Sequence, residues 1–270
     1  MCIRDRDIHH IHDVAVQAAK TAAELILSDS DKQKSVNYKG RTDLVTHTDK
    51  KSEQLICTII NETFPDHGIL AEESKPHLPN ANYQWIIDPL DGTTNFVHNY
   101  PSFAVSIGVH YKKSPVVGCV IEISSNNIFT AIKKEGAFCN NNLITVSSEK
   151  DLQKSLLVTG FGYKHGDKWK ANMNLFKSFT DITQGVRRLG AASVDLCHVA
   201  CGIVDGFWEF DLHPWDTAAG ILIVLEAGGK ITQMDGRGFD IFQKQILASN
   251  GHIHEPMLKH IKPIIDSLNC

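Results

Sequence analysis

Between residues 69 and 146 the chain is cut into six short apolar runs, at 69–71, 85–87, 103–111, 116–123, 128–133 and 143–146, separated by turn-forming stretches such as 124–127 and 140–142. Runs this short, bounded by Ser, Asn and Gly, predict strands, not helices. After Lys150 the rhythm changes. Strands are expected at 156–160, 186–189, 206–210 and 230–233, alternating with helices at 168–179, 193–200, 215–226 and 255–268. Strand-heavy first and alternating afterwards, the pattern confines the chain to a layered α/β or α+β arrangement with two sheets. Two helices precede it. From Ile8, apolar residues Ile11, Val14, Ala15, Ala18, Ala19, Ala22, Leu25 and Ile26 recur at three- and four-residue steps, so an amphipathic helix ends near Ser28 with His9 and His12 on its surface. A polar stretch over 30–41 leads to a second helix at 49–64, with Leu55, Ile56, Ile59, Ile60 and Phe64 on one face, closed by Pro65 and Gly68. No repeat interrupts the chain. One domain over 8–270 is expected, with a soft internal boundary near 145–155; residues 1–7 match nothing in the pattern and carry no part of the reading.

A chain of 270 residues buries roughly 70–75% of its unfolded surface, so it needs no covalent staples. Its 27 Lys plus Arg against 31 Asp plus Glu leave a net charge of -4, which supplies no broad positive field for nucleic acid or an anionic membrane. The seven cysteines are odd in number and form no CxxC pair, which fits reduced thiols in the cytoplasm. Cys197 and Cys201 are expected in the core, since two ligands do not make a zinc site. No apolar run reaches the ~18 residues of a membrane span, and the start, with His9, His10 and His12, does not read as a signal peptide.

The chemistry concentrates in the segment Trp85-Ile86-Ile87-Asp88-Pro89-Leu90-Asp91-Gly92-Thr93-Thr94-Asn95-Phe96. A short apolar strand delivers two carboxylates, three residues apart, into a turn whose φ is fixed by Pro89. Hard divalent cations such as Mg²⁺ need oxygen donors, and Asp88, Asp91 and the Leu90 carbonyl offer several from one turn. Gly92 lets the backbone approach a ligand, and amides of Gly92, Thr93 and Thr94 can face a phosphate if a helix begins there. The same D-P-x-D fragment also serves elsewhere as an Asp-rich capping turn. Three more acidic features accompany it: Glu72-Glu73 after an apolar strand, Trp215-Asp216 opening an apolar helix, and Asp43 and Asp49 among alternating hydroxyls before another helix. Each has a plain alternative: an exposed pair, a helix cap, a first-turn residue.

Three blocks together resemble the inositol monophosphatase family: Ile69-Leu70-Ala71-Glu72-Glu73-Ser74, the segment from Asp88 to Phe96, and Trp215-Asp216-Thr217-Ala218-Ala219-Gly220 with Glu226-Ala227-Gly228-Gly229. The resemblance runs over about 14–268. It implies an αβαβα layered sandwich, like that of inositol monophosphatases and fructose-1,6-bisphosphatases, that hydrolyses phosphate monoesters with two or three Mg²⁺ ions. Carried across, Glu72, Asp88, the Leu90 carbonyl, Asp91 and Asp216 take metal-ligand positions. Asp49, Thr93 and Glu72 take those around the attacking water, and Asp43 another acidic position near the metals. Gly92, Thr93 and Thr94 take the phosphate turn. Phosphoryl transfer is mainly charge placement, so clustered carboxylates suffice without a Cys or Ser nucleophile; in-line attack by water, with no covalent phosphoenzyme, follows.

The resemblance also places the Arg188-to-Ser193 segment, with Gly190, Ala191 and Ala192, and Glu209 around the substrate ring, Glu209 accepting hydroxyl hydrogen bonds. Ala191 lacks a hydroxyl that some relatives carry, and Asp211 stands where Gly is frequent. The substrate this implies is myo-inositol 1-phosphate or a similar polyol phosphate. Fructose 1,6-bisphosphate, histidinol phosphate and 3'-phosphoadenosine nucleotides are the alternatives, as is a binding role on the transcription machinery found in some bacterial relatives. Homodimers are frequent in the family, as is lithium sensitivity; Phe103, Phe161 and Trp169 are the candidates for dimer surface. His213 is expected to orient or support, His252 and His254 to lie in a polar loop, and Gly228-Gly229 to form a left-handed helix cap.

Overall fold

The computed structural model describes residues 5–30, 36–38 and 44–268. Helix α1 (Asp5–Ser30) is followed by a two-stranded antiparallel ribbon of β1 (Val36–Tyr38) and β2 (Leu44–Thr46), then by α2 (His47–Thr63). Seven strands follow: β3 (Gly68–Ala71), β4 (Tyr83–Asp91), β5 (Ala104–Tyr111), β6 (Ser114–Glu122), β7 (Asn127–Ile132), β8 (Gly136–Cys139) and β9 (Asn142–Ile144), with the short α3 (Thr93–Val97) after β4. They form one sheet in chain order, antiparallel throughout except for the parallel β3–β4 pair. The second half contributes β10 (Leu156–Thr159), α4 (Asp167–Ile182), β11 (Gly185–Arg187), α5 (Ala192–Ala200), β12 (Gly206–Phe210), α6 (Pro214–Glu226), β13 (Lys230–Thr232), β14 (Gln245–Ser249) and α7 (His254–Leu268). Its five strands lie in the order β11-β10-β12-β14-β13.

Three apolar clusters show how the layers stack. On the outer face of the seven-stranded sheet, Ala15, Ala18, Ala22 and Ile26 of α1 and Ile56 and Ile60 of α2 pack against Trp85, Ile87, Val105, Ile107 and Cys119. Between the sheets, α5 and α6 are covered on both sides, by Ile86, Ala104 and Val120 from one sheet and Val158, Phe207 and Ala248 from the other. Beyond the second sheet, Leu175 and Phe179 of α4 and Met257 and Ile261 of α7 meet Leu157, Trp208 and Leu247. The result is the expected αβαβα sandwich. Sheets covered on both faces require strands that are apolar on both faces, which is why so many strands are near-continuous apolar runs.

The structure adds elements to the sequence reading. The four-residue β8, whose first residue is Gly136 at φ 89, and β14, which returns antiparallel between β12 and β13, were not expected. Nor was the β1–β2 ribbon, part of which lies in the polar stretch 30–41. His254 corrects the polar-loop expectation. It opens α7, is fully buried, and its ring meets the Ser249 hydroxyl at 2.8 Å and the Thr232 hydroxyl at 2.9 Å. Phe103 is 7% exposed and packs edge-on to Phe96, so it belongs to the core and not to a dimer surface. Gly228 adopts φ 89 directly after α6 and its cap, as expected of a left-handed cap. Cys197 is buried, and no disulfide joins the described cysteines. No helix among the described residues is long and apolar enough to cross a membrane.

Candidate active site

Strand β4 carries the first acidic pair. In a regular strand, residues three apart point to opposite faces, so Asp88 and Asp91 would be separated by the sheet. The pairing with β5 prevents this: Asp88 lies opposite Ser106 and Asp91 opposite Ala104, so three steps on β4 match two on β5 and the register shifts between them. One extra residue is accommodated as a bulge at Pro89-Leu90, and both carboxylates turn to the face that looks onto α6. Asp88 accepts the Leu90 amide at 3.1 Å. The chain leaves the strand through Gly92 at φ 85, where a Cβ would come within 2.8 Å of the Ser102 carbonyl, so only glycine fits; α3 starts at the next residue. Asn95 holds this turn by donating to the Ser102 carbonyl at 2.6 Å and the Leu189 carbonyl at 2.8 Å.

Helix α2 gathers the neighbouring loops along one stripe. Asp49, Ser52, Ile56 and Ile60 recur at helical spacing, and all four are fully buried. The apolar members face the core while the polar members face the site. Asp49 accepts the Thr93 hydroxyl at 2.8 Å, the Ser52 hydroxyl donates to the Pro89 carbonyl at 2.8 Å, and the buried Glu53 accepts the Glu73 amide at 2.7 Å. Thr46 and Asp49 form a capping box in which the Thr46 amide (2.9 Å) and hydroxyl both donate to Asp49. Burial raises the Asp49 pKa, and the hydrogen bonds from Thr46 and Thr93 oppose it.

Helix α6 brings the third acid. A Cβ on Gly108 of β5 would lie 2.7 Å from the Ala218 backbone, and one on Gly118 of β6 would lie 2.7 Å from the Ala219 carbonyl, so glycine on two adjacent strands lets α6 rest directly on the sheet. Its first turn carries Pro214 and then Asp216, whose carboxylate accepts the His213 amide at 2.6 Å. His213 is exposed and its ring stacks on Trp215. Asp216 is partly buried, as is Glu72, which directly follows β3. The Asp88 pKa is raised well above the carboxylate range by burial, then by Glu72, Asp91 and Asp216. That of Asp216 is raised by burial, Asp91 and Glu72.

These groups act on one another without closing into a cage: among the described residues no three acidic, histidine or cysteine side chains form a ready-made metal site. The donor set is nevertheless oxygen-only and acidic, and buried like charges are relieved by a cation. That chemistry fits a hard divalent ion. Asp43 lies outside the described residues.

On the other side of Asp91, Ser193 of α5 donates its amide (2.8 Å) and hydroxyl (2.6 Å) to the same Asp91 oxygen. Burial pushes Asp91 up to about 6, with Ser193, Ala192 and Gly92 opposing. Ala191 and Ala192 are buried in the layer between the sheets. Glu209 is 9% exposed, and its pKa is raised by burial and then by Asp195, Asp216 and Asp91, with Arg188 opposing. Gly160 lies so close to Glu209 that a Cβ there would overlap the carboxylate. Thr94, Asn95, Arg188 and Gly190 share a cavity of about 420 Å³ with Phe161 and Trp169.

Sequence reasoning missed Ser52 and Glu53, Ser193 as a support of Asp91, and Asp195. The last is fully buried with neither oxygen hydrogen-bonded among the described residues, and its pKa is raised by burial and by Asp91 while Arg188 opposes. A signal existed for Ser52 and Glu53, since polar residues continue an apolar helical stripe. None existed for Ser193 or Asp195, whose partners lie some hundred residues away or are absent. Asp211 sits at φ 61, a region that favours glycine, with its carboxylate 3.1 Å from the Lys168 ammonium.

A model of the inositol monophosphatase family matches residues 7–266. The chain is similar to the chloroplastic phosphatase IMPL1 of Arabidopsis thaliana, with 48% identity over 96% of this chain and 72% of that protein. It is 40% identical to the Nus factor SuhB of Pseudomonas aeruginosa, over 93% of this chain and 95% of the relative. The solved structure of an inositol monophosphatase from Anabaena superimposes with a TM-score of 0.87 at 40% identity, covering 95% of this chain and 97% of the other. The fold, the acidic face of β4 and these matches agree: the chain belongs to the inositol monophosphatase family and is a phosphatase.

Proposed function

We propose that this protein is a Mg²⁺-dependent phosphate monoester hydrolase acting on myo-inositol 1-phosphate, with residues 8–270 as one catalytic unit. The observation that carries the reading is the β4 bulge, which turns Asp88 and Asp91 to one face beside Asp216 and leads straight into the Gly92 turn. Glu72, Asp88, the Leu90 carbonyl, Asp91 and Asp216 would hold two or three Mg²⁺ ions. Bound there, the metal supplies positive charge for the phosphoryl oxygens and lowers the pKa of a water.

The remaining steps belong to the chain. Thr93 donates its hydroxyl proton to Asp49, which leaves its oxygen lone pairs to accept a proton from water. A carboxylate with a raised pKa is the better base, and the raised Asp49 is the terminal acceptor, with Glu72 adjacent to the water. The amides of the turn Gly92, Thr93 and Thr94 position the phosphate. Glu209 accepts ring hydroxyls, with Gly190, Ala191 and Ala192 around it. Attack is in line, without a phosphoenzyme.

The reading extends to a homodimer in the cytoplasm that lithium inhibits. Free thiols suit a reducing compartment, and partly exposed Phe161 and Trp169 supply apolar surface. The test is phosphate release from myo-inositol 1-phosphate, fructose 1,6-bisphosphate, histidinol phosphate and 3'-phosphoadenosine 5'-phosphate, each with Mg²⁺ and with chelator. Preference for the first, lost on chelation, is the expected outcome. Preference for another substrate would keep the metal chemistry and overturn the ring role of Glu209. A SuhB relative is named a Nus factor, which favours a second reading as a binding partner of the transcription machinery; such a role would survive Asp91→Asn.

A further inference from the structure

Directly across from Asp88 on β5 stands Ser106. It is fully buried, and its hydroxyl has no hydrogen-bond partner among the described residues. An unpartnered buried hydroxyl carries a penalty of about 1–3 kcal/mol, so its persistence at this position asks for a partner. Directly opposed residues on paired strands share a face, with Cβ atoms roughly 4.5–5.5 Å apart. Ser106 therefore looks to the same side as the Asp88 carboxylate. The strand neighbours on its face offer no side-chain acceptor. Its same-face neighbours on β5 are Ala104 and Gly108, its partner on β6 is Val120, and the helix above presents Ala218 against Gly108. Among the described residues, the one hydrogen bond that Asp88 accepts comes from the Leu90 amide.

We infer that Ser106 is a positioning residue for the metal site: its hydroxyl, which has no partner among the described residues in this structure, donates to the Asp88 carboxylate across the strand pair when a divalent cation is held there, and so sets that carboxylate's orientation. The inference rests on the reading of Asp88 as a metal ligand. A ligating carboxylate is held by a hydrogen bond from outside the coordination sphere, and loss of such a bond weakens metal binding by about 10- to 100-fold. The apo protein gives the opposite sign, because removing an unpartnered buried hydroxyl leaves stability unchanged or slightly raised.

The test is the melting temperature of the full chain, wild type and Ser106→Ala, titrated with MgCl₂ from a chelated starting state. Binding to the folded state raises the melting temperature with ligand concentration, so each curve yields an apparent Mg²⁺ affinity without any activity measurement. The expected result is an unchanged or higher apo melting temperature for the variant with at least about tenfold weaker Mg²⁺ affinity. Equal affinities in the two proteins would overturn the inference and leave the metal reading standing. So would an apo melting temperature that falls while the affinity stays the same, which marks a purely structural serine. A wild type indifferent to Mg²⁺ would overturn both the inference and the reading beneath it.

Discussion

Asp49 and Thr93 are forty-four residues apart and joined by one hydrogen bond of 2.8 Å. In the proposed mechanism that bond is the route by which a proton leaves the attacking water, so Asp49→Asn and Thr93→Ala are each expected to lower kcat by about 10²- to 10⁴-fold, the usual worth of a general base, with little change in KM. Steady-state kinetics on the preferred substrate checks this, and a change in KM alone would place the pair in binding. Single residues were legible in the sequence where the chain brings its own partners. Asp88, Leu90, Asp91 and Gly92 are adjacent, and Asp49 sits three residues after its cap Thr46. They were illegible where the partner comes from the far half: Ser193 is 102 positions from Asp91. Asp195, whose buried carboxylate has no hydrogen bond among the described residues, looked like any polar residue in a helix.

At the scale of elements, the spacing of apolar residues located most helices and strands, since a helix with one buried face and a strand with two each write their period into the chain. What it did not contain was the β4 bulge. The D-P-L-D segment suggested converging carboxylates through a turn, whereas the structure keeps Asp88 and Asp91 within one strand and obtains the convergence from a register shift against β5. Glycines at 108 and 118 were equally silent, because their purpose depends on α6 arriving a hundred residues later. Gly108→Ala is expected to push α6 away from the sheet, destabilising the fold by about 1–3 kcal/mol through overpacking, and to weaken Mg²⁺ binding because Asp216 rides on that helix. Denaturant titration with and without Mg²⁺ checks both parts. A variant as stable as wild type would show that the contact yields without consequence.

Across the whole molecule, the two sheets meet through α5 and α6, so the proposed site is assembled from both halves of the chain: Asp88 and Asp91 from the first, Ser193, Glu209 and Asp216 from the second. The layering was legible in the switch from consecutive strands to alternating strand and helix; the antiparallel β14, inserted between β12 and β13, was not, because a short apolar run in a loop-rich stretch has no partner nearby in sequence. The core of the second half also ties stability to pH. Burial, followed by Lys230, holds His254 down to about 4 from its ordinary 6.5. The unfolded chain then binds one more proton than the folded one between these values, so this contribution is complete above about pH 6.5 and declines as pH falls toward 4, by on the order of 3 kcal/mol. Denaturation of the metal-free protein at pH 7.5 and pH 5 is expected to show a smaller loss in His254→Gln than in wild type. The raised carboxylates work in the opposite direction but equally in both proteins, and parallel losses would contradict the assignment.

The central claim is that the acidic face of β4 performs metal-dependent hydrolysis, and its most direct test is phosphate release from myo-inositol 1-phosphate by wild type and Asp91→Asn, each with Mg²⁺ and after chelation. The expected result is release by wild type that vanishes on chelation and returns with Mg²⁺, and its loss in an Asp91→Asn protein with an undiminished melting temperature. Release that ignores the chelator, or a variant that hydrolyses as well as wild type, would contradict it.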